Sequence, residues 1–158
     1  MAFFILFYVL RQKMKWSIKL IFILSASFIY ADSLVIAANR NFPADTLNRK
    51  TVQKIYLDKI RFLGEKKIIP INLPYDHLLR KKFENIILKM KRFELERYWL
   101  QTHYMGHRPP KVLKSQEAIA SFLKNVDNAI GYLEKDVATK HKLKILYEVQ
   151  NGESKPKK

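Results

Sequence analysis

The chain contains no cysteine in 158 residues, which excludes a disulfide scaffold, a thiolate metal site, a cysteine nucleophile and a lipid-modified N-terminal Cys. Glycine is also scarce. With four glycines there is no phosphate-cradling Gly-rich loop, nucleophile elbow or dinucleotide fingerprint. Acidic residues are the third shortage, 14 against 30 Lys plus Arg, for a net charge of +16. They are scattered, and no pair is marked as a general acid and base. Apolar residues are plentiful, at 48% with 13% aromatic. That is enough for a real core in one ordinary domain plus a short appendage.

The appendage reads as an export signal. Arg11, Lys13, Lys15 and Lys19 form a basic block ahead of the apolar run Leu20 to Ala31, the order of a secretory signal peptide. That run has only twelve residues, whereas a membrane-spanning helix needs about 20, so no transmembrane anchor is expected after cleavage. Met1 to Leu10 is a second apolar run on the wrong side of the basic block, and a start at Met14 would remove it. The cut is placed after Ala31, with Ala26 as the other small residue available. Removing residues 1 to 31 takes four basic residues, which leaves 26 minus 14, or +12. In an exported chain this charge points to anionic solutes, lipids or envelope polymers, and nucleic acid is not the expected partner.

Residues 32 to 149 alternate between strand and helix patterns. Leu34 to Ala38 is a short apolar run and hence a buried strand. Asn48 is placed to cap a helix that buries Val52, Ile55 and Tyr56. Gly64 to Lys67 reads as a turn before a strand over Ile68 to Leu73. Asp76 reads as the cap of a helix whose apolar face is Leu79, Phe83, Ile86, Ile87 and Met90. A further helix from about Phe93 to Met105 stops at Gly106, and Arg108 to Pro110 leads away extended. Ser115 caps a helix burying Ile119, Phe122, Leu123 and Val126. Ala129 to Leu133 and Leu143 to Val149 are the last strands, and Gln150 to Lys158 is expected to be disordered. Leu79, Phe83, Ile87, Tyr98, Trp99, Ile119 and Leu123 are expected to be buried together. The fold class is α/β, a mostly parallel or mixed sheet covered by helices.

His103 and His107 stand at i and i+4, which on a continuous helix would offer two metal ligands. Gly106 breaks the helix between them and no Asp or Glu lies within five residues, so no metal is assigned. No cofactor is implied. The basic runs Arg80 to Lys82 and Lys89 to Arg92 lie on helices with an apolar face. They read as a solvated face or as an anion-attracting patch. The acidic residues read as caps and surface pairs.

Asn48 to Asp58 (NRKTVQKIYLD), Ile68 to Phe83 (IIPINLPYDHLLRKKF), Trp99 to Pro110 (WLQTHYMGHRPP) and Ala129 to Leu133 (AIGYL) together resemble the short, exported relatives of periplasmic phosphate-binding proteins. Their order carries the resemblance over roughly residues 34 to 149. It implies a type 2 periplasmic-binding-protein fold. Full members have two α/β lobes that close on the solute, and this chain is too short for both, so a single lobe is expected, a mixed sheet flanked by helices. The family's phosphate loop, an Arg followed by Asp-Gly-Ser-Gly-Thr, would fall ahead of Phe83. There its Ser, Gly and Thr meet His77, Leu78 and Leu79, and its Arg meets Leu73. Asp58 stands where the family usually has Gly. The fold therefore carries over better than the phosphate chemistry.

These readings combine into an exported, non-catalytic, solute-binding-like protein, an accessory in phosphate or anion uptake or in envelope sensing. Its partners would be phosphate or another small anion, or an envelope or transporter protein. Any anion contact is expected at the start of the helix after Asp76, from His77 and Arg80 beside Asn72 and Tyr75. The alternative is a basic interaction module that binds anionic lipid, polymer or a partner protein. An enzyme ranks third.

Overall fold

Leu34–Ala38 forms strand β1, and all five of its residues are buried, as befits an apolar run with a strand on either side. The computed structural model describes residues 33–149. The signal segment 1–31, its cut after Ala31 and the tail 150–158 lie outside the described residues. Further strands follow as β2 (Phe62–Leu63), β3 (Lys66–Lys67), β4 (Ile69–Asn72), β5 (Lys111–Val112), β6 (Ala129–Glu134) and β7 (Lys144–Glu148). The main sheet has five strands in the order β5-β4-β6-β1-β7. Strand β4 runs parallel to β5 and β6, while β1 runs antiparallel to β6 and β7. The sheet is mixed, and the α/β expectation holds.

The helices are α1 (Arg49–Tyr56), α2 (Leu78–Phe83), α3 (Arg92–His103), α4 (Gln116–Asn125) and α5 (Lys135–Lys140). Asn48 caps α1 as its sequence position predicts, Oδ1 accepting from the Thr51 N–H at 2.9 Å. Ser115 caps α4 through the Ala118 N–H. Neighbouring residues of β6 separate the two helical layers, because successive side chains leave a strand on opposite faces. Tyr132 meets Phe83 of α2 in a stack with ring centroids 4.2 Å apart, and Tyr56 of α1 lies 4.5 Å from Phe83. Gly131 faces α4 on the other side. A Cβ there would stand 2.6 Å from Ile119 Cγ2 and 3.2 Å from Leu123 Cδ1, so only glycine lets the helix come this close. No helix among the described residues is long and apolar enough to cross a membrane.

Several local expectations are corrected. Lys66 and Lys67, read as part of a turn, are strand β3, and the hairpin turns at Gly64 with φ +60°. The cap of α2 is His77, not Asp76: the His77 N–H donates to Pro74 O, so the chain closes a turn over Tyr75 and Asp76 and enters the helix one residue later. The α-helix then widens into a π segment, Glu84–Leu88, that ends at Lys89 in the left-handed region with φ 53°. The wider turn lets Glu84, Ile86, Ile87 and Leu88 all be buried. Of the residues expected in the core, Leu79, Phe83, Ile87, Ile119 and Leu123 are buried, but Tyr98 and Trp99 are only half-buried against it. Their helix carries apolar residues on its outward side too, so periodicity marks no single buried face. Helix α5 and the short strand β5 were not expected at all.

Candidate functional site

In an open α/β sheet a ligand site forms beyond the carboxyl ends of parallel strands, where the connections diverge to either side. Here the chain leaves β4 toward the edge strand β5, whereas it leaves β6 toward β7 on the far side of the sheet. The diverging pair is therefore β4 and β6. Pro70 pairs with Ile130, so two residues further on Asn72 lies level with Tyr132.

The Tyr132 hydroxyl donates to Asn72 Oδ1 in a short hydrogen bond and accepts from the Leu73 N–H at 3.1 Å. Beneath it the Tyr56 hydroxyl lies 3.1 Å from Ile71 O and 3.4 Å from Ile130 O. Burial pushes both phenols well above the ordinary tyrosine value, and the Leu73 N–H offsets only part of this for Tyr132. Both rings therefore stay neutral and serve as hydrogen-bonding pins between the two strand ends.

Arg80 reaches back over the same corner. Its Nη1 donates to Leu73 O at 2.8 Å and its Nε to Glu84 Oε1 at 2.7 Å. Glu84 is buried, so the guanidinium already has a carboxylate partner one turn along its own helix. The sequence reading of Arg80 as part of a solvated basic face is therefore corrected, as is the reading of all the acidic residues as caps or surface pairs. His77 spends Nδ1 on the Leu79 N–H at 3.1 Å. Tyr75 is exposed and carries the Arg92 guanidinium 3.4 Å above its ring. Of the four residues named from sequence, Asn72 and Arg80 converge on Leu73, His77 caps α2, and Tyr75 turns toward α3. Glu84 and Tyr132 were missed as site residues. The i, i+4 spacing from Arg80 is a signal for Glu84, whereas Tyr132 stood inside AIGYL with nothing local to mark its hydroxyl.

A second polar cluster ties α1 to the chain after α3. Asp58 adopts φ 56°, the conformation that a glycine takes without strain, at the position where the resemblance expects Gly. Its carboxylate lies 2.8 Å from Arg61 Nη2 and 3.2 Å from His107 Nδ1, and it accepts from the Arg108 N–H at 3.2 Å. Arg61 also donates to Gly106 O, and the Tyr98 hydroxyl donates to Leu57 O at 2.6 Å. Burial first, and the Asp58 charge second, raise the Tyr98 phenol. His103 takes a different partner, Arg108 Nη1 at 2.9 Å from its Nδ1. Among the described residues no three His, Asp or Glu side chains converge to hold a metal. This arrangement ties the loop after α1 to the chain after α3.

Solved structures resemble the domain. An ABC-type phosphate transport receptor from Vibrio cholerae matches with a TM-score of 0.58 at 18% identity, covering 73% of this chain and 45% of its own. PstS from Borrelia burgdorferi matches at 0.59 and 18% identity, over 73% of this chain and 46% of its own. A Clostridium perfringens structure described as a phosphate ABC transporter substrate-binding protein, with phosphate bound, matches at 0.54 and 20% identity over 66% and 40%. The chain spans less than half the length of these proteins. No protein-family model matches it, and no curated protein does. The described domain thus shares its fold, a five-stranded mixed sheet flanked by helices, with somewhat under half of each of these phosphate-binding proteins.

Proposed function

We propose that this chain is an exported, non-catalytic, binding-protein-like module that serves as an accessory in anion uptake or envelope sensing. One observation carries the reading. The corner at the ends of β4 and β6 lies where open α/β sheets bind ligands, yet Arg80, the cation that reaches over it, is held by Glu84 and Leu73 O. A free anion arriving there must compete with a carboxylate already in place, and its contacts with Asn72, Tyr75, His77 and Arg80 are correspondingly weak. Recognition of a partner therefore outweighs capture of a solute. The likeness to phosphate-binding proteins supports the non-catalytic class, and the basic charge supports an anionic partner.

The test is a calorimetric titration with phosphate at physiological salt, run on the wild type and on the Arg80→Ala, His77→Ala double variant. Absent or very weak binding in both is the expected result. Saturable micromolar binding in the wild type, lost in the double variant, would instead make the protein a phosphate receptor. Export is checked separately by N-terminal sequencing of the processed chain, expected to begin near Asp32.

A further inference from the structure

Helix α3 is apolar on two sides. Its inner side buries Leu95 and Thr102 and half-buries Tyr98 and Trp99. Phe93, Leu100 and Tyr104 recur at steps of seven and four on the outer side, one line of the helix surface, and remain 65%, 70% and 89% exposed. Met105, in the turn that follows the helix, adds an apolar side chain at 66% exposure. Over the twelve residues of α3 the line is about 18 Å long at 1.5 Å per residue. Arg97 lies within it, its guanidinium 4.5 Å from the Phe93 ring centroid. A surface helix ordinarily keeps its outer side polar, so this row calls for a cover.

Charge selects the cover. Between Lys89 and Arg108 there are five cations, Lys89, Lys91, Arg92, Arg97 and Arg108, against Glu94 and Glu96. Both carboxylates are already engaged, Glu94 accepting from the Lys91 N–H and Glu96 from Arg92 Nε. A second copy of the chain would bring +12 against +12 for residues 32 to 158, and a like-charged face is a poor partner. The row is also convex, the ridge of a helix with side chains projecting outward. A fluid anionic surface closes over such a ridge without a matching groove. Apolar side chains enter the headgroup boundary while flanking Arg and Lys meet the phosphates.

We propose that the outer face of α3, through Phe93, Leu100, Tyr104, Met105 and Arg97, seats the domain on an anionic lipid bilayer. This does not depend on the reading of the β4–β6 corner, because no residue of that corner takes part.

The absence of native cysteine allows a position-specific test in the full chain. An environment-sensitive fluorophore is attached to Leu100→Cys, and in a control chain to Ser121→Cys, an exposed position on α4 across the sheet. Circular dichroism establishes that each labelled chain is folded. Vesicles of phosphatidylglycerol with phosphatidylethanolamine should shift the emission at position 100 to the blue and shield it from an aqueous quencher, with position 121 unchanged and phosphatidylcholine vesicles without effect. Because the readout is local, adsorption through residues 1 to 31 cannot imitate it. Adding Arg97→Glu should weaken the response about tenfold or more. The proposal is overturned if position 100 stays aqueous with anionic vesicles, or if positions 100 and 121 shift alike. It is also overturned if a photoreactive residue at 100 cross-links to a protein in cells while anionic vesicles leave the chain unbound.

Discussion

Arg80 and Glu84 form a closed ion pair four residues apart, Nε to Oε1 at 2.7 Å, with side chains only 13% and 7% exposed. The pair meets the end of β4 through Leu73 O. Replacing Glu84 by Gln keeps the shape and removes the counter-charge, leaving a largely buried guanidinium with a backbone carbonyl as its main partner. Stability should fall by about 1 to 3 kcal/mol, seen as a lower urea midpoint at unchanged slope. Phosphate affinity should rise above that of the wild type, and adding Arg80→Ala should abolish the gain.

Phe83 is fully buried and stacks on Tyr132. Phe83→Ala should cost about 3 to 5 kcal/mol in equilibrium unfolding, the range for a truncated core aromatic. A loss under about 1 kcal/mol would place α2 on the wrong face.

Gly131→Ala puts a methyl group 2.6 Å from Ile119 Cγ2 and should destabilise by about 1 to 3 kcal/mol through overpacking. Ile119→Ala removes the atom that is struck. The double variant should therefore lose less than the sum of the two single losses, and simple additivity in thermal or urea unfolding would contradict the close approach of α4 to β6.

Glu117 joins α4 to α5, with Oε2 2.5 Å from His141 Nε2 and Oε1 3.0 Å from Lys140 Nζ. The His141 hydrogen bond first, then that of Lys140, lower its carboxyl below the ordinary value of 4.5. A carboxyl with a depressed folded-state pKa stabilises the fold above its unfolded value, and that contribution fades as the pH falls through the folded one. Tm of the wild type should exceed that of Glu117→Gln at neutral pH. The two curves should converge on acidification below the ordinary carboxylate range.

Short-range chemistry made part of this fold readable. The Asn48 and Ser115 caps, the buried run at Leu34, and the helix stop at Gly106 with φ +79° each depend on a few adjacent residues. Features that depend on distant neighbours were not readable. His77 displaces Asp76 as cap because a turn closes on Pro74, and the π segment follows from a packing demand that Glu84 and three apolar residues share. Helix α3 misled because its two apolar sides compete for the core. At the site, Asn72 and Arg80 were within reach of the motif order. Tyr132 needed the register of β4 against β6, which only the sheet supplies. Asp58 departs from the Gly of the resembling family, but its left-handed backbone retains the conformation that the glycine would serve.

Strand β1 comes early in the chain but lies in the interior of the sheet, bonded on one edge to β6 and on the other to β7. Both partners are more than 90 residues further along. Closing loops of that length comes before any of these contacts can reward it, which makes folding slow and high in contact order. While the chain emerges from its N-terminus, the apolar run Leu34 to Ala38 has neither of these partners until Ala129 to Glu134 appear, and its second edge stays open until Glu148. The sheet is thus completed only once residues 129 to 148 are available, and until then the chain ahead of them stays open enough to be threaded.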